Sequence, residues 1–152
     1  PLRVMTTHLE YYSHQQRERQ IDAIRRLHVE ACAMSARNLR IEEQGGAFET
    51  FPRPKQALLC GDLNFPAAAP ERMQILAPFT AGVPNLNDAW SVLHPEQVHA
   101  PTVGIYPVDF VDRPECFDYV FITDGLVSHL KAHGIDATTE ASDHQPIWVE
   151  LA

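Results

Sequence analysis

The chain has 152 residues, 45% of them hydrophobic and 21% charged, which matches one soluble domain and excludes a disordered tract. Twelve Lys and Arg stand against twenty Asp and Glu, a net charge of −8. That excludes a basic protein held to nucleic acid by bulk charge, but not a phosphate-handling enzyme whose positive charge comes from a divalent metal. No apolar run approaches the ~18 residues of a membrane span. Cys32, Cys60 and Cys116 are too few and scattered for a disulfide scaffold or zinc knuckle; they are expected as small buried hydrophobes in a reducing, cytoplasmic setting.

In chain order, Leu2 to Leu9 is apolar and β-branched enough for a strand that ends on polar residues. Ser13 is a helix cap, and Ile21, Ile24, Leu27, His28, Ala31 and Met34 follow helical spacing, with Arg17, Glu18, Arg19 and Arg26 mostly opposite. That helix is expected from about Ser13 or His14 to Leu39, followed by a loop at Gly45-Gly46 and Phe51-Pro52-Arg53-Pro54. Ala57-Leu58-Leu59-Cys60 reads as a strand buried on both faces and stops at Gly61-Asp62-Leu63-Asn64. A short helix is expected over Pro70 to Leu76, with Pro tolerated in the first turn. A Pro-rich loop then holds Asn87-Asp88-Ala89-Trp90 and Pro101-Thr102. Further strands are expected at Phe117 to Ile122, more weakly at Leu126 to Ala132, and at Gln145 to Leu151.

Polar residues sit at the ends of these apolar runs: Thr7-His8, Asp62 and Asn64, Asp118, and Asp143-His144. Each has a structural explanation alone, as a turn, a cap or a satisfied buried carboxylate. Together they have another, because strand ends in layered α/β folds gather side chains from distant positions into one crevice.

Thr7-His8-Leu9, Arg17 and Gln20, Gly61-Asp62-Leu63-Asn64, Asn87-Asp88-Ala89-Trp90, Pro101-Thr102, Phe117-Asp118-Tyr119 and Ser142-Asp143-His144 resemble, in that order, the endonuclease/exonuclease/phosphatase superfamily of metal-dependent phosphodiesterases and phosphatases. The resemblance implies an α/β fold, a portion of a four-layer α/β/β/α sandwich. It implies hydrolysis of a phosphate ester (nucleic acid, nucleotide, or lipid or inositol phosphate) by activated-water attack, with Mg²⁺, or Mn²⁺ as the alternative.

By the same resemblance, Asp62 orients or deprotonates the water and shares the metal, while Asn64 holds the water, the phosphate or the metal. Asp143 is a metal ligand, His144 braced by Asp118 stabilises a phosphate oxygen, and His8 grips a second one. The family's domain opens with an Asn-bearing segment and a strand ending in a metal-ligand Glu, neither of which precedes Thr7-His8. Residues 1–152 are therefore expected to be the C-terminal part of one such domain, with the N-terminal part missing. An apolar sheet face, with Leu58, Cys60, Val120 and Ile122 as candidates, is then expected to lie open and be covered by a homo-oligomer, another chain or the rest of the protein. The competing reading is a catalytically inactive remnant that serves as a binding module. A His-rich metal-binding protein is weaker, because the eight histidines lack ligand spacing.

Overall fold

The computed structural model describes residues 1–36, 53–109 and 111–152. The elements are β1 (Arg3–His8), α1 (His14–Ala36), β2 (Ala57–Asp62), α2 (Pro70–Leu76), β3 (Leu86–Asp88), α3 (Ala89–Leu93), β4 (Asp118–Thr123), a 3-10 turn (Asp124–His129), β5 (Leu130–Ile135) and β6 (Ile147–Leu151). The expected extension of the first helix to Leu39, and the loop through Gly45-Gly46 and Phe51-Pro52, lie outside the described residues. No helix among the described residues is long and apolar enough to cross a membrane.

Four strands form one sheet in the order β1-β2-β4-β3, and β5 and β6 form a second. The parallel β1–β2 pair is joined by the long crossover through α1 that a parallel connection requires. Ser13 caps that helix, its Oγ accepting from the Gln16 amide at 3.3 Å. One face of the sheet packs Leu59, Tyr119 and Phe121 against Ile21 of α1 and Ile75 of α2. The other packs Leu58, Val120 and Ile122 against Leu130, Ala89 and the partly buried Ile147, Val149 and Leu151. The architecture is thus helix, sheet, sheet, a partial α/β sandwich.

This second face corrects an expectation. Leu58, Val120 and Ile122 do not lie open, for they are 9%, 4% and 0% exposed. The small β5–β6 sheet, which the sequence offered as one weaker strand and a closing one, supplies a partner layer from the same chain, so an open apolar face gives no ground for a homo-oligomer. The cover ends before the β1 edge. Val4, in register with Leu58, is 62% exposed, and a cleft of ≈ 370 Å³ lies between the sheets beside Leu58, Cys60, Gly61, Asp118 and Trp148.

Two expected elements also differ. The stretch from Leu126 to Ala132 divides into the 3-10 turn and the start of β5, because Leu126 and Val127 reach the core from a turn rather than a strand. Asn87-Asp88-Ala89-Trp90 is not loop: Asp88 ends β3 and caps α3, its carboxylate accepting from the Trp90 and Ser91 amides. Arg17, expected on the solvent face of α1, is buried, its Nε 3.0 Å from the Oε1 of a Glu71 only 2% exposed. His28, also buried, donates from Nε2 to the Pro84 carbonyl at 2.9 Å and accepts from Arg3 at Nδ1. Burial pushes its pKa down, so it is held neutral.

At Gly61, β2 runs close against β1. The Gly61 φ is +140°, and a Cβ there would stand 1.9 Å from the Thr7 carbonyl oxygen. Gly61→Ala is therefore expected to cost roughly 3 kcal/mol or more, from backbone strain and a clash the paired strand cannot relieve. Gly82→Ala, also at positive φ but with nothing within 4 Å, is expected to cost about 1 kcal/mol. Urea denaturation of both variants checks the difference.

Candidate functional site

Strand register builds the site. His8 is the Cα partner of Asp62 across β1–β2, and Asp62 is the partner of Asp118 across β2–β4. Three polar residues thus form one row across the sheet, at the end where β1 and β2 stop and the antiparallel β4 begins. Side chains alternate along a strand, so Asp62 and Asp118 share the face of Leu58, Val120 and Ile122 and stand at the mouth of the inter-sheet cleft.

His144 arrives from the segment before β6. Residue 103 bridges both Glu115 and His144, and the Gln145 amide donates to the Thr102 carbonyl at 2.7 Å. This seats the His144 ring with Nδ1 2.8 Å from Asp118 Oδ2, so Nδ1–H donates to the carboxylate. Nε2 is then the nitrogen on the Asp62 side, 3.7 Å from Oδ2. His8 Nε2 lies 3.4 Å from the same oxygen, on a side chain 76% exposed.

Asp118 is fixed from behind by Thr102, which is 1% exposed. The Thr102 hydroxyl donates to Asp118 Oδ2 at 2.7 Å and accepts from the amides of Phe117 and Asp118 at 3.0 and 3.1 Å. One buried oxygen therefore sets the carboxylate that sets the imidazole. The sequence offers Pro101-Thr102 as a motif but gives no hint of this role, because the contact is made only once the 102–103 segment lies against Glu115.

Asn64 turns away from the cleft. Its φ is +53°, a left-handed conformation that Asn tolerates; its side-chain amide donates to the Leu9 carbonyl at 2.7 Å, and its backbone N–H donates to Asp62 Oδ1 at 2.9 Å. Asp143 is exposed and accepts from Ser142 Oγ at 3.2 Å. The structure therefore brings His8, Asp62, Asp118 and His144 together, sets Asn64 behind them as a brace, and leaves Asp143 at the rim.

Asp62, Asp118 and His144 offer ligand atoms within 4.8 Å of one another, the one such group among the described residues. Burial raises the Asp62 carboxyl above the usual carboxylate range, and the Asp118 charge pushes the same way, against the Asn64 N–H, His144 and His8. Two carboxylates that repel at a cleft mouth suit a hard divalent cation, which prefers oxygen ligands.

No protein-family model matches the sequence, and no curated protein matches it. Solved structures do. An endonuclease/exonuclease/phosphatase from Bacteroides vulgatus superposes with a TM-score of 0.64 at 18% identity, over 98% of this chain and 49% of its own. The chain has the fold of that group. A mannosyl-6-phosphatase of Bacteroides thetaiotaomicron matches with a TM-score of 0.60 at 17% identity, over 98% of this chain and 50% of its own. An endonuclease/exonuclease/phosphatase family protein of the same organism gives 0.60 at 16%, over 97% and 48%. The chain spans about half the length of these structures, so what it shares is a partial sandwich of the endonuclease/exonuclease/phosphatase type.

Two outcomes follow from this geometry. Thr102→Val should cost ~1–3 kcal/mol by leaving the Phe117 and Asp118 amides without their acceptor, and should remove the downfield NMR signal of the His144 Nδ1 proton; Thr102→Ser should keep both. Asp62 binds its proton more tightly folded than unfolded, so its contribution to stability falls as pH rises above the ordinary carboxylate value of 3.8. In chelator-treated protein, Asp62→Asn should therefore melt higher than wild type at pH 7, with the gap closing toward pH 3.

Proposed function

We propose that this chain carries the water-activating and phosphate-binding half of a divalent-metal-dependent phosphate ester hydrolase. The observation that supports it is the convergence of Asp62, Asp118, His144 and His8, from four separate segments, on one sheet end. Asp62, and Asp143 beside His144, are the residues of this chain that would hold the cation, Mg²⁺ or Mn²⁺, together with a Glu from the half of the fold for which the solved structures have chain and this sequence has no counterpart. When bound, the cation would offset negative charge on the phosphate.

The chain's own residues do the rest. Asp62, at the cleft mouth, takes a proton from the attacking water. The water oxygen bonds to phosphorus, and the ester P–O bond breaks, its electron pair leaving with the alcohol oxygen, which is then protonated. His144, oriented by Asp118 through Nδ1, contacts a phosphate oxygen through Nε2 as charge develops there. His8, exposed at the same edge, contacts a second oxygen. Asn64 acts by position, fixing Asp62 and the turn at Leu9.

The test is turnover by the full encoded chain, with and without EDTA, on plasmid DNA, nucleotides, inositol phosphates, and sugar monophosphates of the kind named for the mannosyl-6-phosphatase neighbour. EDTA-sensitive hydrolysis of one class is expected. Asp62→Asn and His144→Ala should each lower it ~10²–10⁴-fold with the fold intact by circular dichroism. Absence of hydrolysis for every class would favour the inactive binding module.

A further inference from the structure

We propose that one water molecule is built into the fold between α3 and β5, accepting from the Trp90 indole Nε1–H and donating to the His133 imidazole Nδ1. The site is independent of the hydrolase reading, although Asp118 shares its wall.

Trp90 Nε1 and His133 Nδ1 are both shut off from solvent, and neither has a hydrogen-bond partner among the described residues. Buried polar groups are nearly always paired, with protein or with ordered water. Both residues line the same small cavity, of ≈ 10 Å³, whose wall also includes Asp88, His99 and Asp118. One water needs about that space, on the order of 10–15 Å³. The two rings stand perpendicular with centroids 5.5 Å apart, and their nitrogens do not bond each other.

Neither ring can turn freely to find another partner. His133 is held in β5, in register with Val149 of β6. Trp90 lies in the first turn of α3, its amide bonded to the Asp88 carboxylate at 3.0 Å, and its ring packs against His94 and His99. Two fixed nitrogens facing one water-sized space are satisfied together by a molecule that accepts from one and donates to the other.

The pattern of donors and acceptors selects water. An indole N–H only donates, so it disfavours a cation, and the carboxylates of Asp88 and Asp118 on the same wall disfavour an anion. The volume excludes a larger neutral molecule. Burial pushes the His133 pKa down, against the pull of Asp88, so the ring is held neutral and keeps one nitrogen as an acceptor. A water placed between the rings keeps a second O–H, and the wall offers it the carboxylates. The bridge joins α3 to the small sheet at the level of Asp118.

The experiment is NMR of the isotope-labelled full encoded chain. The Trp90 indole proton should show NOE and ROE cross-peaks to water of opposite sign, the signature of a bound molecule. His133→Phe should abolish them and move that proton upfield, while the exposed Trp148 indole keeps its position. A wild-type protein without these cross-peaks, or with the Trp90 proton already far upfield because it points at the face of the His133 ring, overturns the bridge. Cross-peaks that survive in His133→Phe overturn the part given to His133. Should that variant not fold, the wild-type His133 nitrogen shifts decide: an unprotonated, hydrogen-bonded Nδ1 is expected, and a protonated Nδ1 overturns the assignment.

Discussion

A single carboxylate oxygen, Oδ2 of Asp118, ties the molecule together. It accepts from the Thr102 hydroxyl at 2.7 Å and from His144 Nδ1 at 2.8 Å, so the end of β4, the 102–103 segment and the approach to β6 meet on one atom. Each of these comes from a different part of the chain, and the small sheet reaches the large one partly through this junction. A group so placed has little freedom to turn independently of its surroundings. The geometry of the His144 ring is therefore set by the closure of the fold, not by a local loop.

Beneath the site, polar groups are buried in satisfied sets instead of being excluded. Asp88, 4% exposed, caps α3 while accepting from Arg72 at 2.8 Å and His99 at 2.7 Å, and its carboxyl stays below the usual range because those two partners outweigh the cost of burial. Tyr119, stacked between Phe65 and Phe121, shares its hydroxyl between the carbonyls of Phe65 and Cys116 at 2.9 Å. Removing one partner from such sets leaves the other desolvated and unpaired, which costs more than the bond itself contributes. These sets hold the frame on which His8, Asp62 and Asp118 line up.

Much of this was legible in the sequence, and the limits have physical causes. The runs Ala57-Leu58-Leu59-Cys60 and Phe117 to Ile122 carry their burial in their composition, and Asp62 and Asp118 announce themselves as carboxylates at the ends of such runs. Their pairing across β2–β4 follows once the two strands are adjacent. Arg17 misled because helical periodicity reports which face a residue lies on, not whether a Glu71 54 residues away waits to neutralise it. The three residues of β3 and five of α3 are too short for any periodicity to register, so Asp88 read as part of a loop. Thr102 could not be weighed from sequence, since a hydroxyl acquires its role only from the three groups that surround it.

The cleft between the sheets has an optical consequence. Trp148 lies over Gly134 so closely that a Cβ on the glycine would stand 2.3 Å from the indole, and it remains 51% exposed at the cleft rim. The other tryptophan, Trp90, is half-buried among His94, His99 and His133. The two indoles thus sit in unlike surroundings, one wet and one enclosed by imidazoles. The wet one forms part of the wall that any chain entering the cleft would press against, so the molecule carries its own fluorophore for occupancy of that space, and Gly134 is what lets the indole lie flat enough to serve as one.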